Sequence, residues 1–540
     1  MWQIDFICHI FTRKGEFMTT IEYLSLPLHK RIIHRIISFF KSIPLAIFNF
    51  FKLKIPAFFI FIWNKIKSFF SQVVNIFADG DWKTRTSYFV MGFGLITRKS
   101  FLRGFLYLIY QIAFILFTIK IGIPSIASVG SFGYVAQTFY MGIASSGFGG
   151  GVEVPIYTFV DDSFLILLNC IFFVVLTAVA IILWFNQLKD SSELQNLHKI
   201  GRNIQDKEVV KSLVGKNYHM VLLSIPTLGL IMFTIVPLIF MILVAFTNYS
   251  SSYEQPKWLF DWVGTYNFKK LFGLAGEANG SEFAAVFFRI VLWTLTWAFF
   301  ATFTNYFLGM IVAMLINKKG IKLKKLWRTI LITTIAVPQF ISLLFLSKFL
   351  STNDGGLNTV LRDLGIITNN IKFLEDASIA KVTIIIVNMW IGIPYTMLMC
   401  SGILMNIPAD LYESAKIDGA SPLKMYAKIT LPYMMFVTGP YLISTFVGNI
   451  NNFNVIYLLS GGGPMFTNIK GVPIKNTTGL YSAGQTDLLI TWLYKMCMGE
   501  VEKNYGIASV VGLMVFVIVA SFSLIMYSRS NAVKNEGDFQ

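Results

Sequence analysis

Charge is scarce in this chain. Charged residues make up 14% of its 540 residues, against about 25% in soluble domains, while apolar residues reach 55% and the mean hydropathy is +0.64. That balance excludes an ordinary soluble enzyme and puts most of the chain in lipid. Cysteine is sparse as well: Cys8, Cys170, Cys400 and Cys497 form no CxxC pair, so neither a disulfide framework nor a zinc site is indicated, and small buried hydrophobes are expected. His9, His29, His34, His198 and His219 build no HExxH and fall outside the apolar runs or at their edge. No GxxxxGK[ST] occurs, so any nucleotide is handled by another chain. The first twenty residues carry Asp5, Arg13, Lys14 and Glu16 without a clean apolar core and small-residue cleavage site, so no removable signal peptide is expected. Met18 competes with Met1 as the start.

Apolar runs long enough to cross a hydrocarbon core of about 30 Å, needing about 20 residues each, lie near 101–121, 163–185, 219–246, 286–316, 328–350, 380–406, 433–459 and 507–528. The expected fold is an all-α integral membrane protein of eight transmembrane helices. The loop at 186–218 has six Lys/Arg and 317–328 (NKKGIKLKKLWR) another six, whereas 121–188 has none. Basic loops stay cytoplasmic, which places both termini inside. The same distribution argues against nucleic acid as the partner of the formal +17 charge, because the bases sit between spans. Four segments result: 1–100, 101–218 with two peripheral helices and a linker, a core at 219–528, and a tail at 529–540. Between the first two spans, IASSGFGGGVEVP reads as an extracellular loop with turns or a short re-entrant piece.

Residues 1–120 hold sixteen Lys/Arg against five Asp/Glu. Lys30, Arg31, Arg35, Lys41, Lys52, Lys54, Lys65 and Lys67 are interleaved with Phe, Ile and Trp, as expected of a segment lying on the inner leaflet against anionic lipid. Pro44 and Pro56 divide it into two or three short helices. A further span around 43–63 is disfavoured by Lys52 and Lys54 in its middle, at about 2.5–3.5 kcal/mol each.

Residues 412–432, YESAKIDGASPLKMYAKITLP, form a polar, helix-compatible loop between two apolar runs, with its range beginning at 408. Asp410 reads as an N-cap, Gly419 as the end of a short helix, and Pro422 as the opening of a second one that runs to the membrane at Pro432. Tyr412, Ala415 and Ala420 offer flat or small contacts to a groove on another protein, and Glu413 is available to an Arg there. The loop resembles the coupling loop of ABC importer permeases at Glu413, Ala415, Asp418, Gly419, Ala420, Ile429, Leu431 and Pro432, with Ser414 where that family has Ala. The resemblance implies a permease without nucleotide chemistry or a cofactor of its own, driven by two ATPase subunits that bind ATP and magnesium. It assigns coupling to Tyr412, Glu413, Ala415, Asp418, Gly419 and Pro432.

Two spans carry polar residues at helical spacing. NMWIGIPY puts Asn388, Gly392 and Tyr395 on one face, and TFVGNINNF does the same for Thr445, Asn449 and Asn452. Such groups either tie helices together or line a watery cavity. No Lys, Arg, Asp or Glu lies on either face, which suits a neutral polyhydroxylated cargo whose C–H faces meet Tyr395, Trp390 or Phe453. NMWIGIPY, NINNFNVIYLLSGGGP and AGQTDLLITWLYKM resemble the MalF-type permeases of maltose and maltodextrin importers over roughly 328–528. AVPQFIS at 336–342 resembles that family's fifth helix.

The resemblance implies sugar contacts at Asn388, Gly392, Tyr395, Thr445, Asn449 and Asn452, with Thr445 replacing a Ser. It also implies a MalG-like second permease, a MalK-like ATPase dimer and an extracellular sugar-binding protein. Two departures stand out. Residues 247–285 are short where Gram-negative relatives carry a large periplasmic domain, which fits a Gram-positive-type system with a lipid-anchored binding protein. The basic N-terminal segment has no counterpart role to transfer. Other oligosaccharides, polyols and glycerol phosphate remain open as cargo. An ATP-independent transporter should show inverted repeats and intramembrane carboxylates, and neither is seen.

Overall fold

The computed structural model describes residues 55–133, 138–145, 151–158, 161–201, 215, 218–253, 259–276, 280–318, 320–469, 472–473, 480–499 and 503–529. The expectations for residues 1–54, including Lys30 to Lys54 and Pro44, and for the tail from 530 lie outside them. The described chain is helical apart from two small antiparallel hairpins. Contacts divide it into two compact units, one ending at 115 and resuming at 177–219, the other formed by 116–176 and the chain from 220.

In the first unit, α1 (Ile55–Asp79) carries Pro56 in its first turn, where no helical N–H is lost. Phe59, Trp63, Ile66, Phe70, Val74 and Phe77 recur every three or four residues and are all exposed. That stripe runs about 27 Å along the helix. A second strip, Ile62, Phe69, Val73 and Ile76, is half-buried. Phe69 there packs on Phe185, ring centroids 4.5 Å apart. After α1 come α2 (Trp82–Thr86), α3 (Phe93–Ile96) and α4 (Phe101–Ser128).

The segment from 79 to 98 is pinned to α5 (Ser163–Lys199) by a polar ladder at four-residue spacing. Gln187 Nε2 donates to Ser87 O at 2.8 Å, Arg98 donates to Ser191 Oγ at 3.1 Å, and Gln195 Nε2 donates to Asp79 O at 2.9 Å. Buried Arg98 also pairs with Asp81 at 2.5 Å. Burial opposes charge on Asp81, but hydrogen bonds from Thr84 and Arg98 outweigh it and hold the carboxyl below its ordinary range.

Before α5, strands β1 (Thr138–Ser145) and β2 (Gly151–Thr158) pair antiparallel. The ends of the glycine-rich stretch, Ile143–Ser145 and Gly151–Pro155, are thus paired strand, because the two extended runs satisfy one another's backbone; residues 146–150 between them lie outside the described residues.

The second unit continues with α6 (Leu222–Val244), interrupted by a π-helical turn at Ile231–Ile235, then α7 (Tyr266–Leu271) and α8 (Gly280–Asn317). The expected fifth span is broken. Its halves, α9 (Lys324–Ala336) and α10 (Gln339–Phe349), meet at 86°. Pro338 excludes its predecessor from the α region, and Val337 is extended at φ −82°, ψ 125°. Next come α11 (Gly356–Asp363), α12 (Ala377–Leu404) and α13 (Ala409–Ile417). The seventh span is bent by 40° between α14 (Pro422–Ile450) and α15 (Phe453–Ser460). Helices α16 (Leu489–Met498) and α17 (Tyr505–Arg529) complete the chain. By length and composition there are six unbroken candidate spans among the described residues, and eight when each bent pair counts as one.

α8 is the hub, packing along α12 and α14. Trp293, Trp297, Ala301, Asn305, Gly309 and Ala313 make a buried stripe at four-residue spacing. Small residues in that stripe let backbones approach closely where no hydrophobic effect drives helices together.

Candidate functional site

The polar loop at 408–432 folds as two helices meeting at a sharp corner. The N-cap of α13 is Pro408, with no side-chain cap, and Asp410 lies in the first turn instead. Proline fixes the extended entry, and the Asp carboxylate then faces the helix's positive end. Gly419 takes φ +73°, which closes the helix: its N–H bonds Lys416 O at 3.0 Å, and that of Ala420 bonds Ala415 O at 2.8 Å. Ser421 caps the second helix through Lys424 N, and Pro422 opens it. From there α14 continues past Pro432 to Ile450, through a π-helical turn at Tyr426–Thr430.

Tyr412 does not present its hydroxyl outward. It bonds Thr430 Oγ1 at 2.8 Å and so braces α13 against the base of α14. Glu413 and Asp418 are exposed, and Ala415 and Ala420 are half-buried. Two further residues belong to this surface: Ile417, 87% exposed, and Leu423 flank the corner as bare aliphatic side chains. Large apolar residues in a polar loop were the available signal for them.

The residues expected to meet a cargo are distributed over three helices. Asn388 and Gly392 lie on the side of α12 that packs on α8, whereas Tyr395 is 54% exposed and stands at the margin of that face. Thr396, not Tyr395, occupies the contact, its hydroxyl donating to Asn305 O at 2.8 Å. Two glycines make this approach possible. A Cβ on Gly392 would stand 2.0 Å from Asn305 Nδ2, and one on Gly309 would stand 2.0 Å from Thr396 Oγ1. The sole cation in α12, Lys381, lies in its first turns, 5.1 Å from the Trp293 ring centroid.

On α14, Asn449 is buried and donates through Nδ2 to Thr302 Oγ1 at 3.0 Å. Trp297 Nε1 reaches the Asn449 carbonyl at 3.1 Å, an acceptor released where the helix ends. Asn452 is not on the helical face, because it caps α15 by accepting from Val455 N at 3.3 Å. Its Nδ2 nevertheless turns back to Asn449 Oδ1 at 3.3 Å. Thr445 is half-buried one turn below. The structure thus brings Asn449 and Asn452 together and adds Thr302, Asn305 and Trp297 from α8. Thr302 and Asn305, three apart inside an apolar run, were the legible signal for that helix.

Beyond the bend, Phe453 stacks on Tyr457 at 4.8 Å and meets Tyr494 at 4.9 Å. The adjoining loop is held by a buried ion pair. Asp487, with no exposed side chain, receives Lys495 Nζ at 2.7 Å, Gly484 N at 2.7 Å and Thr491 Oγ1 at 2.9 Å.

Residues 305–533 match the family described as binding-protein-dependent transport system inner membrane component. The maltodextrin transport system permease protein MalC of Streptococcus pneumoniae is 30% identical over 464 residues, covering 83% of this chain and 95% of that protein. The galactooligosaccharides transport system permease protein GanP of Bacillus subtilis is 31% identical over 389 residues, 72% of this chain and 87% of that one. The maltodextrin permease MdxF of the same organism is 31% identical over 387 residues, 70% and 84%.

Proposed function

The chain belongs to the binding-protein-dependent transport system inner membrane component family and is a multi-pass ABC importer permease, not an enzyme; on that premise we propose that it carries an oligosaccharide, maltodextrin first, across the plasma membrane. The observation that carries the cargo class is the uncharged polar set described above. Asn388, Asn449, Asn452 and Thr302 offer amides and hydroxyls between α8, α12 and α14 with no charge among them. Amides supply donor and acceptor together, which suits neutral hydroxyls. Relatives named for maltodextrin transport favour an α-glucan, and the similarity to GanP favours a galactooligosaccharide as the second reading.

The importer works with a substrate-binding protein and ATPase subunits. Our reading adds a MalG-like second permease, a MalK-like ATPase dimer holding ATP and magnesium, and a lipid-anchored sugar-binding protein of a Gram-positive-type cell. No cofactor is assigned to this chain. ATP-driven closure of the ATPases would move α13 through Glu413 and the Ile417/Leu423 corner, and the Tyr412–Thr430 brace would pass that motion to α14. Such switching requires ATP to bind the two states with different affinity. Both termini are assigned to the cytoplasm. The exposed stripe of α1 then rests in the inner leaflet, with Lys65 and Lys67 at anionic headgroups, about 1 kcal/mol each. Phe185 beside it, at the end of the apolar run of α5, supports that depth.

The test is ATPase activity of the complex co-purified with this chain, in lipid, with its binding protein and a panel of maltodextrins, galactosides and glycerol phosphate. Stimulation by maltodextrins alone is expected. Stimulation only by another sugar replaces the cargo, and the absence of any associated ATPase overturns the reading.

A further inference from the structure

Two buried amides in the interface of α8 and α12 are left half-used. Asn305 is 8% exposed and Asn388 5%, yet Asn305 Oδ1 and Asn388 Nδ2 have no hydrogen-bond partner. Buried polar atoms in folded proteins are nearly always paired, and each exception calls for a reason. Asn449 and Asn452 show the contrast, since their amides are already engaged with Thr302 and with each other.

The two orphans are neighbours. Asn305 Nδ2 lies against Gly392, and Asn388 stands one helical turn, about 6 Å, before Gly392 on the same face. Thr396 holds the Asn305 backbone in place by donating to its carbonyl, while the side-chain acceptor stays free. They are also complementary, one being an acceptor and the other a donor. A single hydroxyl satisfies both, donating its proton to Asn305 Oδ1 and accepting from Asn388 Nδ2. A carboxylate cannot serve Asn305 Oδ1, because acceptor would face acceptor, and an ammonium cannot serve Asn388 Nδ2.

We propose that Asn305 on α8 is a specificity-determining residue of the transport path, and that with Asn388 it clasps one hydroxyl of a neutral sugar and rejects acidic glycans. This rests on the oligosaccharide reading above and deepens it by assigning a residue from the fourth span. A site built for a hydroxyl discriminates strongly against an analogue lacking it, because both protein groups are then stranded.

The experiment measures uptake of maltose and its monodeoxy analogues by the assembled complex in proteoliposomes, with wild type, Asn305→Leu and Asn388→Leu. Wild type is expected to show a KM about tenfold higher for one particular monodeoxy analogue than for maltose. Asn305→Leu should raise the KM for maltose by a similar factor and abolish the difference for that same analogue. Asn388→Leu must erase the penalty at the same hydroxyl, which also serves if Asn305→Leu fails to assemble. A uniform loss across all sugars, an unchanged KM, or loss of discrimination at different hydroxyls in the two variants overturns the clasp while leaving the transport reading intact. Failure of the wild-type complex to take up maltose or any sugar of the panel above overturns the transport reading itself, and the clasp with it.

Discussion

Asn305 lies across Gly392 so closely that a Cβ at position 392 would stand 2.0 Å from the amide nitrogen. Gly392 is the notch that lets a polar side chain from α8 enter the face of α12. Its place in the polar pattern thus has a steric cause, independent of any contact with cargo.

Gly392→Ala is therefore expected to force Asn305 or the α12 backbone aside, at about 1–3 kcal/mol for an overpacked contact. Thermal unfolding of the purified protein measures it. Combining the change with Asn305→Ala should cost less than Gly392→Ala alone, since the clashing amide is gone. Additive losses would show that the close approach is not the reason for glycine.

Asn449→Ala strands Thr302 Oγ1 and Asn452 Nδ2 at the foot of the bend. Uptake should fall at least tenfold, equivalent to about 1.4 kcal/mol, while the amount of assembled complex in the membrane stays normal. Uptake at the wild-type rate would return this face to interhelical packing.

Glu413→Ala removes an exposed carboxylate from α13 without touching the Tyr412–Thr430 brace. Sugar-stimulated ATP hydrolysis should continue with transport per ATP sharply reduced. Counting sugar imported against phosphate released decides the matter, and an unchanged ratio removes Glu413 from the coupling surface.

Asp487→Asn leaves Lys495 without its partner in a buried loop. Breaking a buried pair at one end costs about 3–5 kcal/mol, to be read as a lower unfolding midpoint in detergent. Adding Lys495→Met should recover most of the loss. If the single change is silent, the ion pair does not hold the segment between α15 and α16.

Much of this molecule was written in local pattern. Apolar run length and the placement of Lys and Arg set the spans. Gly419 and Pro422 fixed the corner between α13 and α14, because φ +73° and the start of a helix are requirements that one or two residues meet alone. The polar spacing around Asn388 and Asn449 was likewise visible, since helical periodicity depends only on distance along the chain. Tertiary structure decided the rest. It turned Tyr395 out, brought Asn305 and Thr302 in, made Asn452 a cap, turned Asp410 from cap to first-turn residue, and set α9 and α10 at 86°. A helical wheel gives each residue an azimuth but not the neighbour it meets. In an apolar solvent that neighbour is chosen by the interlocking of Gly309 with Thr396 and of Gly392 with Asn305, a fit between distant segments that no single stretch of sequence contains.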